Sequence, residues 1–196
     1  MSTTTSTLFR QFRTGLLLLL LATAGLGLVY PAAVYAVGRV VPERADGQVV
    51  RVDGTPVGSR LIGQPFTGPQ WFQPRPSAAG DGYDPTASGA SNLGPEDAGL
   101  LAAVEERRAA AAAADGTAPA DVAPDALTAS GSGLDPDISP QYARQQVARV
   151  AAARGLPEQE VADLVAGHAQ GRDLGFLGAE HVNVLELNVA LQALAG

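Results

Sequence analysis

Between Arg13 and Arg39 the chain carries no charge, and the run Gly15 to Val41, GLLLLLLATAGLGLVYPAAVYAVGRVV, makes water a poor solvent for it. As an α-helix rising about 1.5 Å per residue, the uncharged stretch from Thr14 to Gly38 reaches about 37 Å. A hydrocarbon core of about 30 Å is crossed with some tilt to spare. A lone segment in lipid must satisfy its own backbone hydrogen bonds, so helix is its one sensible conformation. Residues 15–41 are therefore read as a transmembrane helix, 1–14 as a cytoplasmic tail and 42–196 as one soluble domain beyond the span. Arg10 and Arg13 precede the span with no acidic residue near them, and positive flanks stay in the cytoplasm. The domain is then extracytoplasmic. The competing reading is a cleaved signal peptide with Leu16–Leu28 as its apolar region and Val34-Tyr35-Ala36 at the cut. Both readings put the domain outside.

Cysteine is absent, which excludes disulfides, thiolate nucleophiles and Cys-based metal sites. Lysine is absent too, so all 13 basic residues are arginine, and all 20 acidic residues lie beyond position 40, where ten arginines remain. The exported part thus carries a formal charge of −10. That surplus disfavours nucleic acid as a partner and favours dissolved cations such as K⁺ nearby, although the same charge also keeps a domain soluble. About 150 residues after the anchor suit one compact core.

Local signals describe a mixed α+β domain. Met1–Thr7 is Ser/Thr-rich and read as disordered. Pro31 falls within the span, where it loosens a helix, and Ala22, Ala24, Gly25 and Gly27 offer a small-residue face to another helix. Pro42 stops the helix. Two short strands flank the turn Asp53-Gly54. Residues 64–95, dense in Gly, Pro, Ser and aromatics, read as an ordered loop layer packed on the core. Gly99–Ala114 has good helix propensity and ends at a flexible break from Asp115 to Pro119. Ser139-Pro140 opens a helix that Gly155 closes, with Ala143, Val147, Val150 and Ala151 inward and Arg144, Arg149 and Arg154 solvated. Leu156-Pro157 starts a helix carrying Val161, Leu164, Val165 and His168 on one face, and Leu174–Leu177 is a short apolar segment. Asn183 with Glu186 caps a C-terminal helix whose Val184, Leu187, Leu191 and Leu194 share a face, a strand at 183–187 being the alternative.

The chemistry that is missing constrains function. Without lysine neither a P-loop nor the phosphorylation motif of a P-type pump can be present. His168 and His181 are the only histidines, thirteen residues apart and not at metal-ligand spacing. His168 reads as a hydrogen-bonded core residue. Ser91, Ser130 and Ser132 lack a nucleophile-elbow context, so no catalytic residue and no metal site is assigned. The Ser-Gly turns suggest a backbone cradle for anions, while tight turns and a helix cap explain them equally.

The motifs GSRLIGQPFTGPQWFQPRPSA at 58–78, SGASNLGP at 88–95, LTASGSGLDPDISP at 127–140, QQVARVAAARG at 145–155 and GFLGAEHVNVLELNVAL at 175–191, behind a leader anchor, resemble the C chain of the potassium-transporting ATPase, the KdpC family. The order is preserved over nearly the whole chain. Departures are the Ala/Asp/Pro-rich stretch Ala109–Asp121 and Asp137, where many members carry His. The resemblance implies a non-catalytic accessory subunit of a high-affinity K⁺ uptake complex in the cell membrane. Its implied partners are a channel-like K⁺-conducting subunit and a P-type ATP-hydrolysing subunit, whose ATP affinity it raises as a catalytic chaperone. The resemblance implies no cofactor of its own, with ATP reached only through the complex. The resemblance ties Ser130, Gly131, Ser132, Gly133, Asp135 and Gln146 to nucleotide. A membrane-anchored periplasmic hydrolase or binding module is the alternative.

Overall fold

The computed structural model describes residues 3–194, in two compact units, 1–47 and 48–196. The first unit is one helical rod. Helix α1 (Thr3–Ala24) passes through a π-helical turn at Gly25–Val29 into α2 (Tyr30–Val40), and Ser6–Val40 has a mean hydropathy of 2.1 in its most apolar window with none of it buried. The π turn has a local cause. Pro31 lacks an N–H, and its ring crowds the carbonyl four residues back. The chain responds by widening, so that the Tyr30 N–H donates to the Gly25 carbonyl, five residues back. Helix already runs through Thr3–Thr7, where the Ser/Thr content predicts disorder; Met1 and Ser2 lie outside the described residues. The rod ends at Val40, where Pro42 stops it by driving Val41 out of helical geometry (φ −125°, ψ 63°), and the same proline starts the single turn α3 (Pro42–Ala45), with Arg39 paired to Asp46 at 3.3 Å.

The second unit begins with the expected hairpin, β1 (Val49–Val52) antiparallel to β2 (Thr55–Ser59), with Val52 opposite Thr55 and Val49 opposite Ser59. Asp53 (φ 49°) and Gly54 (φ 78°) both take positive φ, the twist that a two-residue hairpin turn demands. Residues 64–95 contain no helix or strand and yet supply a core residue, fully buried Phe72. Helix α4 (Ala98–Asp115) starts on Asp97, whose carboxylate accepts from the N–H groups of Gly99 and Leu100. Two 3₁₀ turns, Pro119–Asp121 and Pro124–Ala126, follow it.

The core gathers around the C-terminal half. The Ser139–Gly155 segment is two helices, α5 (Pro140–Gln145) and α6 (Val147–Arg154), separated at Gln146. Ser139 caps α5 by accepting from the Tyr142 N–H at 3.0 Å. Ala143, Val147, Val150 and Ala151 are buried as the periodicity predicts, facing Val161 and Val165 of α7 (Glu158–His168) and Leu187 and Leu191 of α8 (Val184–Leu194). Leu194, on the predicted α8 face, is exposed. The helix reading of the C-terminus holds and the strand at 183–187 does not form: of that stretch only Asn183 is extended, in β4 (Val182–Asn183) antiparallel to β3 (Asp137–Ile138), and its Oδ1 accepts from the Glu186 N–H at the start of α8.

Candidate functional site

Two buried primary amides hold the loop layer in place. A carboxamide presents one acceptor and two donors, so it can pair with both backbone groups of one residue as a neighbouring strand would. Asn188 on α8, 1% exposed, does this to Phe72: Oδ1 accepts from the Phe72 N–H at 2.9 Å and Nδ2 donates to its carbonyl at 3.0 Å. Gln146, fully buried at the α5–α6 break, does it to the next residue, accepting from the Gln73 N–H at 2.6 Å and donating to the Gln73 carbonyl at 3.1 Å. Its Oε1 also accepts from Arg149 Nη2 at 2.7 Å.

The arginines of α6 are not the solvated face that periodicity predicts. Arg149 donates from Nη1 to the carbonyls of Pro69 and Trp71, at 2.7 and 3.0 Å, and from Nε to Asp115 at 2.7 Å. Its side chain is 10% exposed and that of Asp115 3%. Arg154 donates to the Gln70 carbonyl and lies 4.3 Å over the Trp71 ring, a cation–π contact, and burial pulls its pKa down. Only Arg144 is exposed. Asp115, expected in a flexible break, is one of the most enclosed charges in the domain, and Gly116 ends α4 by taking φ 64°. The stretch 109–121 is therefore built into the fold.

The Ser130–Asp135 loop is tied to the other end of the same extended segment. Ser77 Oγ donates to the Gly133 carbonyl at 2.6 Å, Arg75 pairs with Asp135 at 2.9 Å, and the Ser132 carbonyl accepts from Gly89 N–H and Ser88 Oγ. Ser132 Oγ accepts from the Leu134 N–H and sits 3.3 Å from Ser130 Oγ. Gly133 has φ 67°, and a Cβ there would meet the Ala79 nitrogen at 2.6 Å and the Gly89 carbonyl at 2.7 Å, so only glycine fits. Gly131, between the two serines, has open space where a side chain would begin. The residues linked to nucleotide by resemblance thus form two groups, Ser130–Asp135 and Gln146, joined through Gln73–Ser77.

Neither group lines the open cleft of about 660 Å³ beside the loop layer. Its walls are Pro65–Pro69 and Pro74–Pro76, the alanines 110, 111 and 114 of α4, and Tyr83 and Tyr142. Arg75, Arg107, Arg149 and Asp115 supply its charge. Tyr83 donates its hydroxyl to the Arg75 carbonyl, and burial, with the Asp135 charge adding to it, pushes its pKa up to about 12. Tyr142 is raised further by burial and by Asp115. Both phenols stay neutral in any physiological medium and serve as hydrogen-bonding walls, not bases.

The histidines are apart from this cleft. His168 is half-buried with Nδ1 2.9 Å from the Leu164 carbonyl, at the rim of the core and not within it, and His181 lies 3.9 Å from Asp137. Burial raises the Asp137 pKa, opposed by His181 and by the bond from Asn183. Among the described residues no three His, Asp or Glu side chains are grouped to hold a metal ion.

Comparison with known families places the sequence. The profile "KdpC: K+-transporting ATPase, c chain" matches residues 12–193. The chain belongs to the KdpC family. A potassium-transporting ATPase KdpC subunit of Kineococcus radiotolerans is 78% identical over 195 residues, covering 100% of each chain. Those of Nitratidesulfovibrio vulgaris, 53% identical over 192 residues (97% of this chain, 96% of the relative), and Mycobacterium bovis, 49% over 188 residues (94% and 99%), are similar along almost all of their length. The motifs that carry the resemblance include residues clamped in this chain: Phe72, Gln73, Arg75 and Ser77 in the first, Gln146 and Arg149 in the fourth, Asn188 in the last. Sequence pattern alone does not single out Asn188. Its signal was an amide amid the apolar residues of α8.

Proposed function

We propose that this chain is a single-span, non-hydrolysing accessory subunit that holds an ATP-driven K⁺ uptake complex together in the cell membrane, its N-terminus in the cytoplasm and residues 48–196 outside. The observation that carries the reading is the apolar rod Ser6–Val40, with no residue of its most apolar window buried, in a chain whose family is described as one chain of a K⁺-transporting ATPase. Such a rod requires lipid or other membrane helices around it. Its partners are a channel-like K⁺-conducting subunit and a P-type ATP-hydrolysing subunit, and the acidic outer domain raises the local K⁺ concentration.

The chain raises the ATP affinity of the hydrolysing subunit through assembly, in this reading, and not by a nucleotide site of its own. The hydrogen bonds that tie Gln146 and the Ser130–Asp135 loop to the protein itself support that indirect route. A reporter fused after Gly196 that works only outside the cytoplasm should be active, and one that works only inside should be silent; the reverse pattern overturns the orientation. A tag on this chain should bring down both partner subunits, and omitting the chain should raise the ATP concentration needed for half-maximal hydrolysis. An unchanged ATP requirement would remove the chaperone role.

A further inference from the structure

We propose that the hairpin tip carrying Leu174, Phe176 and Leu177 is an anchor that inserts into an apolar recess on another protein subunit of the transport complex. All ten residues from Gly171 to Glu180 are exposed. Leu174 is 83% and Phe176 68% exposed, the two highest values among the large apolar side chains described in residues 48–194, and Leu177 beside them is 50% exposed. Three large apolar side chains exposed within four residues at the tip of one hairpin are a concentration that a soluble surface ordinarily avoids.

The arm bearing them is preorganised. At its base Gln170 and His181 exchange both backbone hydrogen bonds, at 2.8 and 3.0 Å. Nearer the tip Asp173 and Leu177 do the same, both at 2.9 Å, and the Gly175 N–H closes on the Arg172 carbonyl. Leu174 sits at φ 53°, a left-handed conformation that γ-branched leucine adopts only at a cost, and which turns its side chain outward. A preformed arm loses little freedom on docking, so its apolar surface converts efficiently into affinity.

Charge selects the occupant. The tip itself is neutral, with Arg172 beside Asp173, and it belongs to a unit with nine arginines and eighteen acidic residues. An anionic lipid surface repels that unit. A second copy brings the same surplus of negative charge against itself. A subunit with an apolar pocket and neutral or basic surroundings meets neither penalty. The inference rests on the reading of this chain as an assembly subunit.

Replacing the patch in the full-length chain, Leu174→Ser with Phe176→Ser, should cut co-purification of the partner subunits by about tenfold or more, as loss of an interface hot spot does. Leu101→Ser, at an apolar residue exposed elsewhere, should leave recovery unchanged. Wild-type recovery by the double variant overturns the inference while leaving the assembly reading intact; failure of the unmodified chain to bring down partners overturns both. A photo-crosslinking residue in place of Leu174 should label a partner subunit in the intact membrane. Labelling confined to lipid or to a second copy of this chain overturns it.

Discussion

Asp115 and Arg149 show how a single pair can decide the shape of a loop layer. Both charges are nearly sealed from water, and Arg149 also holds three acceptors of the protein, on Pro69, Trp71 and Gln146. Removing one member strands the other in a medium that solvates it poorly, which costs about 3–5 kcal/mol. Asp115→Ala is therefore expected to destabilise the full chain by about that amount in denaturant titration in detergent, whereas Arg144→Ala, at an exposed position on the adjoining turn, should stay within about 0.5 kcal/mol of wild type. Asp137 supplies the pH-dependent case. Burial raises its folded-state pKa above the ordinary carboxylate value. For a raised acid the protonated form favours folding; that contribution is complete below the unfolded pKa and is lost as pH rises through the folded one. Asp137→Asn fixes the uncharged state and still accepts from Asn183. It should raise the melting temperature near pH 7, with the difference from wild type vanishing near pH 3, where both versions are neutral.

At the scale of elements, the parts legible in the sequence are those whose cause lies within a few residues. The Asp53-Gly54 turn, the Ser139 cap and the Asn183 cap each need only a neighbour, and each forms as read. The α5–α6 break does not, because its cause is 73 residues away: Gln146 leaves the helix pattern at the point where its amide meets Gln73. Periodicity treats 139–155 as one amphipathic helix with three outward arginines, and it cannot see that Pro69–Gln73 arrives with carbonyls that require donors. The same blindness makes Asp115 look like part of a loose linker. Gln146→Ala tests the clamp directly. It leaves both backbone groups of Gln73 and one Arg149 donor, all at least half-buried, without their partner, and each such group costs about 1–3 kcal/mol. The expected result is a loss of about 3 kcal/mol or more of stability in the isolated full-length chain without any nucleotide present. Unchanged stability together with a weakened ATP response of the complex would instead assign Gln146 to nucleotide.

At the scale of the whole molecule, the placement of charge is more informative than any one site, because no acidic residue precedes position 40 and twenty follow it. Some of those carboxylates have structural duties, Asp115 with Arg149, Asp135 with Arg75 and Glu186 with Arg60, so altering them would confound electrostatics with folding. Glu158, Glu160 and Asp163 are different: all three are exposed on α7 and none forms an ion pair among those described. The triple change Glu158→Gln, Glu160→Gln, Asp163→Asn removes three negative charges and leaves the inward face of Val161 and Val165 untouched. If the acidic domain enriches K⁺ near the transport pathway, the effect reaches over a Debye length, about 30 Å at 0.01 M salt but only about 8 Å at 0.15 M. The variant complex should then show an apparent KM for K⁺ raised by roughly 1.5- to 3-fold at the lower ionic strength and indistinguishable from wild type at the higher, with kcat unchanged at both. A shift that persists at high salt would place these side chains in a direct contact, and equal KM values at every salt concentration would leave the negative charge with solubility as its sole role.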